Sequence, residues 1–327
     1  MNRRTVLPAR STLALPFIRE TRTGSTALRS LKLSQMDRKN FIKKSLLGAA
    51  GVAAGSSVLH ANDTPKNSTY DKLMEQVGFN HLPNKEVTTM KTVLHRANTR
   101  GNANHGWLNS NHSFSFANYY NPDRMNFGVL RVLNDDVVAP GRGFNTHPHD
   151  NMEIISIPLE GDLEHKDSMG NVATIRKGDV QVMSAGTGIR HSEFNKNHDA
   201  AVKFLQIWVF PNQKNVAPRY DQITLENTDL KNQLSQILSP SPDDAGVWIH
   251  QNAWFHMGNL EQGFETVYEL KDQKNGVYVF ILDGEVTIEG QDLQPRDGFG
   301  VWDTNAVFIK ADNNARVLLM EVPMSLS

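Results

Sequence analysis

Short apolar runs separated by polar turns dominate the chain from Val93 onward. The runs are rich in Val, Ile, Leu and Phe, and residues such as Gly, Pro, Asn or Asp stand between them. Runs of this kind are typical of β-strands. In the first part of this region the pattern predicts strands at Phe127–Leu133, Ile154–Leu159, Val180–Met183 and Val202–Phe210.

Polar and glycine-containing triplets between the runs predict turns. Met169–Asn171 and Lys177–Asp179 have the composition of hairpin turns. Asn134–Asp136 is predicted to form a turn as well, because Asn and Asp side chains stabilise turns through nearby backbone groups. The predicted class is therefore an all-β protein with many turns.

A second series of strands follows residues 216–247, which are predicted to form a connector with a short helix at Asp229–Leu238. Gly276–Gly284 parallels Glu153–Gly161 as an apolar strand followed by a turn, which indicates a faint internal repeat. The chain is therefore predicted to contain two similar β-domains in tandem. The strands of the second series are expected at Thr266–Leu270, Gly276–Leu282, Glu285–Ile288, Gly298–Trp302, Ala306–Ile309 and Ala315–Val322.

Residues 1–61 have the composition of a leader. Residues 1–35 carry seven basic side chains against one acidic side chain, Glu20. This is typical of a transit-like leader. The alternative is an upstream extension caused by a misassigned start codon, with the true start at Met36 instead of Met1.

Met36 begins a clearer export signal. A basic start is followed by a weakly apolar stretch at residues 46–59 and a cleavage site ending at Ala61. Arg38 and Lys39 resemble a twin-arginine (Tat) motif in which Lys replaces the second Arg. The signal predicts export to the bacterial periplasm, with the cytoplasm as the alternative, and its apolar stretch is too short to span a membrane.

Composition narrows the possible functions. The 34 basic and 35 acidic residues nearly cancel, which does not favour nucleic-acid binding, because that would need a basic face. The chain has no cysteine, which excludes disulfides, thiolate metal ligands and cysteine nucleophiles.

Two short motifs within residues 141–193 have the spacing of a metal site. The triplets His147–His149 and His191–Glu193 each place two ligand-type side chains at positions i and i+2. Such pairs lie on one face of a strand, so two strands could present three imidazoles and a carboxylate to one barrel interior. This set suits Fe, Mn, Ni, Cu or Zn and leaves positions for a substrate and O2 or water. No histidine follows His256, so the second repeat is predicted to lack a metal site.

Longer segments surround these motifs. They read FNTHPHDNMEI at 144–154, LEHKDSMGN at 163–171, MSAGTGIRHSE at 183–193, HSFSFANYYNPDRMNFGVLRVLNDDVVAPGRGF at 112–144 and WIHQNAWF at 248–255. In wording and order these segments resemble the pirin family, a branch of the cupins. The resemblance covers residues 93–327.

The resemblance implies an all-β bicupin, which is two double-stranded β-helix (jelly-roll) barrels in tandem. It implies an N-terminal metal-binding cupin at 93–215 and a degenerate C-terminal cupin at 248–327, separated by the connector at 216–247. Residues 62–92 are polar and rich in turn-forming residues, and they are predicted to form a linker. It also implies one divalent transition metal. Fe(II) is the expected ion, and Ni, Mn, Cu, Co and Zn are alternatives.

The resemblance assigns His147, His149, His191 and Glu193 as the metal ligands. The carboxylate has a second possible position, since Glu153 stands where other cupins keep theirs. Glu193 is favoured because it matches the pirin-family ligand, and Glu153 is then expected to accept a hydrogen bond from a metal-bound imidazole. His165 is expected to be structural or to support a ligand from behind.

Bacterial pirin-like proteins resemble quercetin 2,3-dioxygenases. The activity implied is therefore the opening of a flavonol or related phenolic ring with O2 and loss of carbon monoxide, with Glu193 as catalytic base. The alternative is a metal-binding, redox-responsive regulatory protein without catalysis, and a hydrolase or isomerase is a third possibility. The expected partners are a phenolic small molecule and O2, without nucleic acid or membrane insertion. A monomer is expected because the two barrels can cover each other.

Overall fold

The structure, a computed structural model, describes residues 89–326. The predicted leader at 1–61, with its Tat-like segment, and all but the end of the predicted linker lie outside the described residues. Within residues 89–326, no helix is long and apolar enough to cross a lipid bilayer.

The described residues form 22 strands and one short 3₁₀ helix at Ala97–Thr99. The first strands are β1 (Lys91–His95), β2 (Gly101–Asn104), β3 (Leu108–His112), β4 (Leu130–Val138), β5 (Gly143–His149), β6 (Glu153–Glu160), β7 (Asp162–Asp167), β8 (Val172–Arg176), β9 (Asp179–Ser184), β10 (Ile189–Asn195), β11 (Val202–Val209) and β12 (Arg219–Thr224). The remaining strands are β13 (Ser235–Ser239), β14 (Val247–Trp248), β15 (Trp254–Leu260), β16 (Glu265–Glu269), β17 (Asn275–Asp283), β18 (Val286–Ile288), β19 (Gln291–Leu293), β20 (Gly298–Trp302), β21 (Ala306–Ala311) and β22 (Ala315–Pro323).

These strands build two barrels, each from a seven-stranded and a four-stranded sheet. The first barrel combines the order β12-β9-β6-β11-β4-β3-β2 with β5-β10-β7-β8. The second combines β1-β20-β17-β22-β15-β13-β14 with β16-β21-β18-β19. The predicted all-β bicupin architecture is confirmed.

Both faces of the first barrel's large sheet carry buried side chains. On β6, Ile154 packs inside the first barrel with Ile189 of the small sheet. The next residue, Ile155, joins a core shared with second-barrel residues such as Phe255. Because neighbouring residues on a strand point to opposite faces, a strand buried on both faces is mostly apolar, and Ser156 is the one polar residue within Ile154–Leu159. Each such side chain contributes about 1.5–3 kcal/mol when fully buried.

The strand pairing also shows where the predicted boundaries fall. The boundary at residue 93 lies inside β1, which pairs with β20 of the second barrel. The predicted connector contains β12, which pairs with β9 of the first barrel, and β13, which pairs with β15 of the second. The first strand of the described residues, β1, therefore belongs to the second barrel, although it precedes all strands of the first barrel in the sequence.

Two local predictions are wrong. Asn134–Asp136 does not form a turn but lies in the middle of β4, where all three side chains are buried. No helix forms at Asp229–Leu238, because its last residues belong to β13, with Ile237 and Leu238 in the core between the barrels. In both places, contacts with residues distant in sequence override local propensity.

Candidate metal centre

The two histidine motifs lie opposite each other on neighbouring strands of the small sheet. In the antiparallel pair of β5 and β10, His147 stands opposite His191 and His149 opposite Ile189. A register shift between His191 and Glu193 marks a β-bulge in this pair. The strands thus bring two motifs that are distant in sequence to one end of the barrel interior.

Three imidazole rings converge at this point. The ring centroids of His147 and His191 are 4.5 Å apart, those of His147 and His149 4.8 Å, and those of His149 and His191 4.9 Å. Each ring offers one nitrogen to a group of ligand atoms that all lie within 4.8 Å of one another. Three such nitrogens can bind a single transition-metal ion.

The hydrogen bonds of these rings fit a metal site. The Nδ1 of His147 lies 2.7 Å from the Asn145 carbonyl oxygen. Donation from Nδ1 to that oxygen leaves the lone pair of Nε2 free for a ligand bond. Both ring nitrogens of His191 are buried without a hydrogen-bond partner among residues 89–326. A metal ion would satisfy one of them.

The electrostatics of the site favour neutral imidazoles. Burial, together with the neighbouring histidines, lowers the pKa of His149 to about 4 and that of His191 to about 3. Both rings are therefore neutral at pH 7, which is the form that binds a metal.

Glu193 is buried and lines the same cavity as the histidines. Gln206 donates its Nε2 amide to both carboxylate oxygens of Glu193, at 3.0 and 2.9 Å, and the Ser156 hydroxyl donates to one of them at 3.1 Å. Glu193 does not belong to the group of ligand atoms within 4.8 Å of one another. Its role as the fourth ligand stays a prediction. In the structure, Glu193 is a carboxylate held by hydrogen bonds in the cavity that the three rings line.

The alternative carboxylate, Glu153, has different partners. The Ser184 hydroxyl donates a hydrogen bond to its Oε2 at 2.6 Å. Burial raises the pKa of Glu153 to about 7. Glu153 is not among the residues that line the cavity. Its expected hydrogen bond with a metal-site imidazole is not present in the described part of the chain.

His165 lies behind the site. Its ring centroid is 5.3 Å from that of His191, and its Nε2 lies 3.1 Å from the Oδ2 of Asp167. Asp167 is held in turn by the Asn171 side chain at 2.8 Å. His165 therefore packs against a candidate ligand without reaching the cavity, in line with the supporting role expected from the sequence.

The three histidines and Glu193 line a cavity of about 390 Å³. This volume and its mostly apolar lining are typical of a small-molecule site. The Trp208 ring lies edge-on to His149, at a centroid distance of 4.9 Å, and to Phe116, at 5.4 Å. The apolar walls are formed by Trp107, Leu108, Phe116, Phe144, Ile154 and Trp208.

Several polar residues of this cavity were not predicted from the sequence. Asn134, Asp136 and Gln206 line it, together with Trp208. The available signal was a polar side chain inside a strand-like run, as Gln206 is within Val202–Phe210. The sequence alone does not show which polar residues of a strand face the barrel interior, because the groups around them come from strands distant in sequence.

Comparison with known proteins places this site in a family. Residues 92–209 match the family model described as Pirin, and residues 236–322 match the model described as Quercetinase C-terminal cupin domain. The two models follow each other in the same order as the two barrels.

Individual relatives match across both barrels. A protein of Escherichia coli strain K12 named quercetin 2,3-dioxygenase is 44% identical over 230 residues, covering 70% of this chain and 98% of the relative. A pirin-like protein of Caulobacter vibrioides is 39% identical over 222 residues, covering 68% of this chain and 95% of the relative. The crystal structure of the bacterial pirin YhhW from Escherichia coli in complex with nickel(II) is 42% identical with a TM-score of 0.68, covering 71% of this chain and 99% of that chain. Because the matches include nearly the whole length of these relatives, the chain belongs to the pirin family, as the segments around its histidine motifs predicted.

Proposed function

We propose that the protein is a metal-dependent dioxygenase that opens the ring of quercetin or of a related flavonol or phenolic with O2. The observation that carries this proposal is the convergence of His147, His149 and His191 in an aromatic-walled cavity beside Glu193. Relatives named quercetin 2,3-dioxygenase support the choice of substrate class.

The three histidines would hold a divalent transition-metal ion, with Glu193 as the predicted fourth ligand. When bound, such an ion supplies Lewis-acid and redox chemistry toward a phenolic oxygen and O2. Fe(II) is the ion expected from the sequence. The nickel(II) complex of the related YhhW makes nickel the first alternative.

Side chains of the cavity would bind the substrate, exclude water and accept the substrate's proton. The aromatic walls at Trp107, Phe144 and Trp208 would bind the faces and edges of a planar substrate and exclude water. A carboxylate oxygen of Glu193 would accept the proton of the substrate hydroxyl. The donors on Gln206 fix that carboxylate, whose remaining lone pairs can still accept a proton.

The test combines metal analysis with oxygen consumption on the purified protein. Near one equivalent of metal and quercetin-dependent O2 uptake are expected, and both should be lost in His147→Ala. The matched control is His198→Ala, which removes an exposed histidine and should leave both unchanged. One equivalent of metal without O2 uptake on any flavonol would overturn the dioxygenase and favour the regulatory alternative.

Export to the periplasm is part of the proposal and rests on residues 36–61 alone. A periplasmic protein would not meet transcription factors, so this location would exclude a nuclear type of regulation. The predicted monomer is a further expectation, and sedimentation of the purified protein measures it.

A further inference from the structure

Polar atoms without a partner concentrate in one place in this protein. Among residues 89–326, ten buried side-chain nitrogen or oxygen atoms lack a hydrogen-bond partner. Six of the ten belong to residues that line the metal-site cavity, and only two of those six are nitrogens of His191. Buried polar atoms in folded proteins nearly always have a partner. The other four atoms therefore point to ligand contacts beyond the metal ligands.

Two of these four atoms belong to one strand. The Oδ1 atoms of Asn134 and Asp136 are both without a partner, and each residue is only 3% exposed. The two residues are i and i+2 on β4, so both side chains face the cavity. Asp135 between them does not line the cavity and forms ion pairs with Arg100 at 3.3 Å and Arg296 at 3.2 Å. Alternate residues of β4 thus have different roles.

Asp136 lacks the ion pairs with arginine that compensate for the burial of the Asp135 carboxylate. Within the described part of the chain it forms no salt bridge, and only the Ser110 hydroxyl opposite it on β3 is a neighbouring donor. A buried carboxyl group without a cation is costly for the fold, which is consistent with a ligand-binding role. Burial raises the pKa of Asp136 to about 7. A carboxyl oxygen can accept a hydrogen bond from a hydroxyl in either protonation state.

We propose that Asn134 and Asp136 form a hydroxyl-recognition subsite, in which their Oδ1 atoms accept hydrogen bonds from ring hydroxyls of a polyhydroxylated aromatic ligand. Residues i and i+2 of a strand are about 6.6 Å apart, so the pair contacts two separate hydroxyls. The apolar walls recognise the ring, and this pair recognises its substituents. The subsite rests on the proposed function because it takes a phenolic compound as the occupant of the cavity.

The experiment measures binding, not turnover. Metal-loaded protein is titrated without O2 against quercetin and against 3-hydroxyflavone, which has the same ring system and the 3-hydroxyl but lacks the other hydroxyls. Wild-type protein should bind quercetin about 10-fold more tightly, since a tenfold change corresponds to about 1.4 kcal/mol, which is within the range that hydrogen bonds contribute.

Two variants and one control test whether Asn134 and Asp136 cause this preference for quercetin. Asn134→Leu and Asp136→Leu each remove an acceptor at similar volume, and each should weaken quercetin binding about 10-fold while leaving 3-hydroxyflavone binding unchanged. Asn109→Leu is the control, because Asn109 is exposed on the neighbouring strand β3 and lies outside the cavity. It should bind both compounds as the wild type does. Circular dichroism and metal content verify that each variant folds.

The outcomes separate the subsite from the proposed function. Equal wild-type affinity for the two flavonols would overturn the subsite alone, and this result needs no variant to fold. An equal loss of affinity for both compounds in the leucine variants would also overturn it. Failure of both flavonols to bind metal-loaded wild-type protein would overturn the proposed function together with the subsite.

Discussion

Gln206 donates its side-chain amide to both carboxylate oxygens of Glu193, at 3.0 and 2.9 Å. Gln206 lies on β11 of the large sheet, whereas Glu193 lies on β10 of the small sheet. Ser156, opposite Gln206 on β6, adds a third donor to the same carboxylate. The contact joins the two sheets of the first barrel at the candidate metal centre, so side chains of the large sheet fix the Glu193 carboxylate of the small sheet.

Replacing Gln206 with Leu should lower the activity of the metal-loaded protein. The variant loses both amide donors, so the Glu193 carboxylate is no longer held beside the three histidines. Loss of a supporting hydrogen bond of this kind reduces metal affinity or activity by about 10–100-fold. The measurement is quercetin-dependent O2 uptake under steady-state conditions, and kcat should fall more than KM rises.

The control for this prediction is Gln213→Leu, which changes an exposed glutamine outside the cavity. It should retain wild-type kcat and KM. If Gln206→Leu folds, binds metal and keeps wild-type kcat, the orientation of Glu193 by Gln206 has no role in catalysis.

Metal binding should stabilise the folded protein through His191. A ligand that binds only the folded state stabilises it by about 2.7 kcal/mol at a concentration 100 times its Kd. Chelator-treated wild-type protein should therefore melt at a higher temperature when nickel or Fe(II) is added. His191→Ala removes one of the three converging nitrogens and should abolish most of this increase.

Scanning calorimetry at a fixed protein concentration measures the effect. His198→Ala, at an exposed position, should show the full wild-type increase. An equal increase in Tm for His191→Ala and the wild type would show that the added metal binds elsewhere.

The histidine motifs could be identified from sequence because their geometry is local. An i, i+2 pair on a strand faces one side whatever the rest of the chain does. The structure accordingly brings His147, His149 and His191 together. The apolar runs of the barrels were also predictable, because strands buried on both faces are mostly apolar.

The Asn134–Asp136 segment was not predictable in the same way. Its composition favours a turn, but the partners that stabilise it as a strand are distant in sequence. Arg100 and Arg296 form ion pairs with Asp135, and the second of these comes from the other barrel. The pairing of β1 with β20 depends in the same way on a distant partner. Local propensity contains no information on such long-range contacts.

The export signal predicted at residues 36–61 would give a shorter mature protein. Full-length protein expressed in a bacterial host should appear in the periplasmic fraction, with an N-terminus just after Ala61. Replacing Arg38 and Lys39 together with Gln should keep it in the cytoplasm, because the basic start of the signal is what the export machinery reads. Arg3→Gln should have no effect if translation starts at Met36. Cytoplasmic, uncleaved protein would contradict the prediction.

Glu153 makes the stability of the first barrel dependent on pH. Burial raises its pKa in the folded protein to about 7, from an ordinary value of 4.5. Between these two pH values the folded protein holds a proton that the unfolded chain releases. The stabilisation is therefore complete below pH 4.5 and is lost as the pH rises through 7. The slope of the unfolding free energy can reach about 1.4 kcal/mol per pH unit.

Glu153→Gln should remove this dependence. The amide stays neutral at every pH and can still accept the hydrogen bond from Ser184. The free energy of unfolding, measured by urea titration at pH 5 and pH 8, should fall less between these values in the variant than in the wild type. Glu160→Gln is the control, since Glu160 is exposed at the end of the same strand and should leave the wild-type difference intact. An unchanged pH 5 to pH 8 difference in Glu153→Gln would mean that Glu153 is already ionised in the folded protein at pH 5.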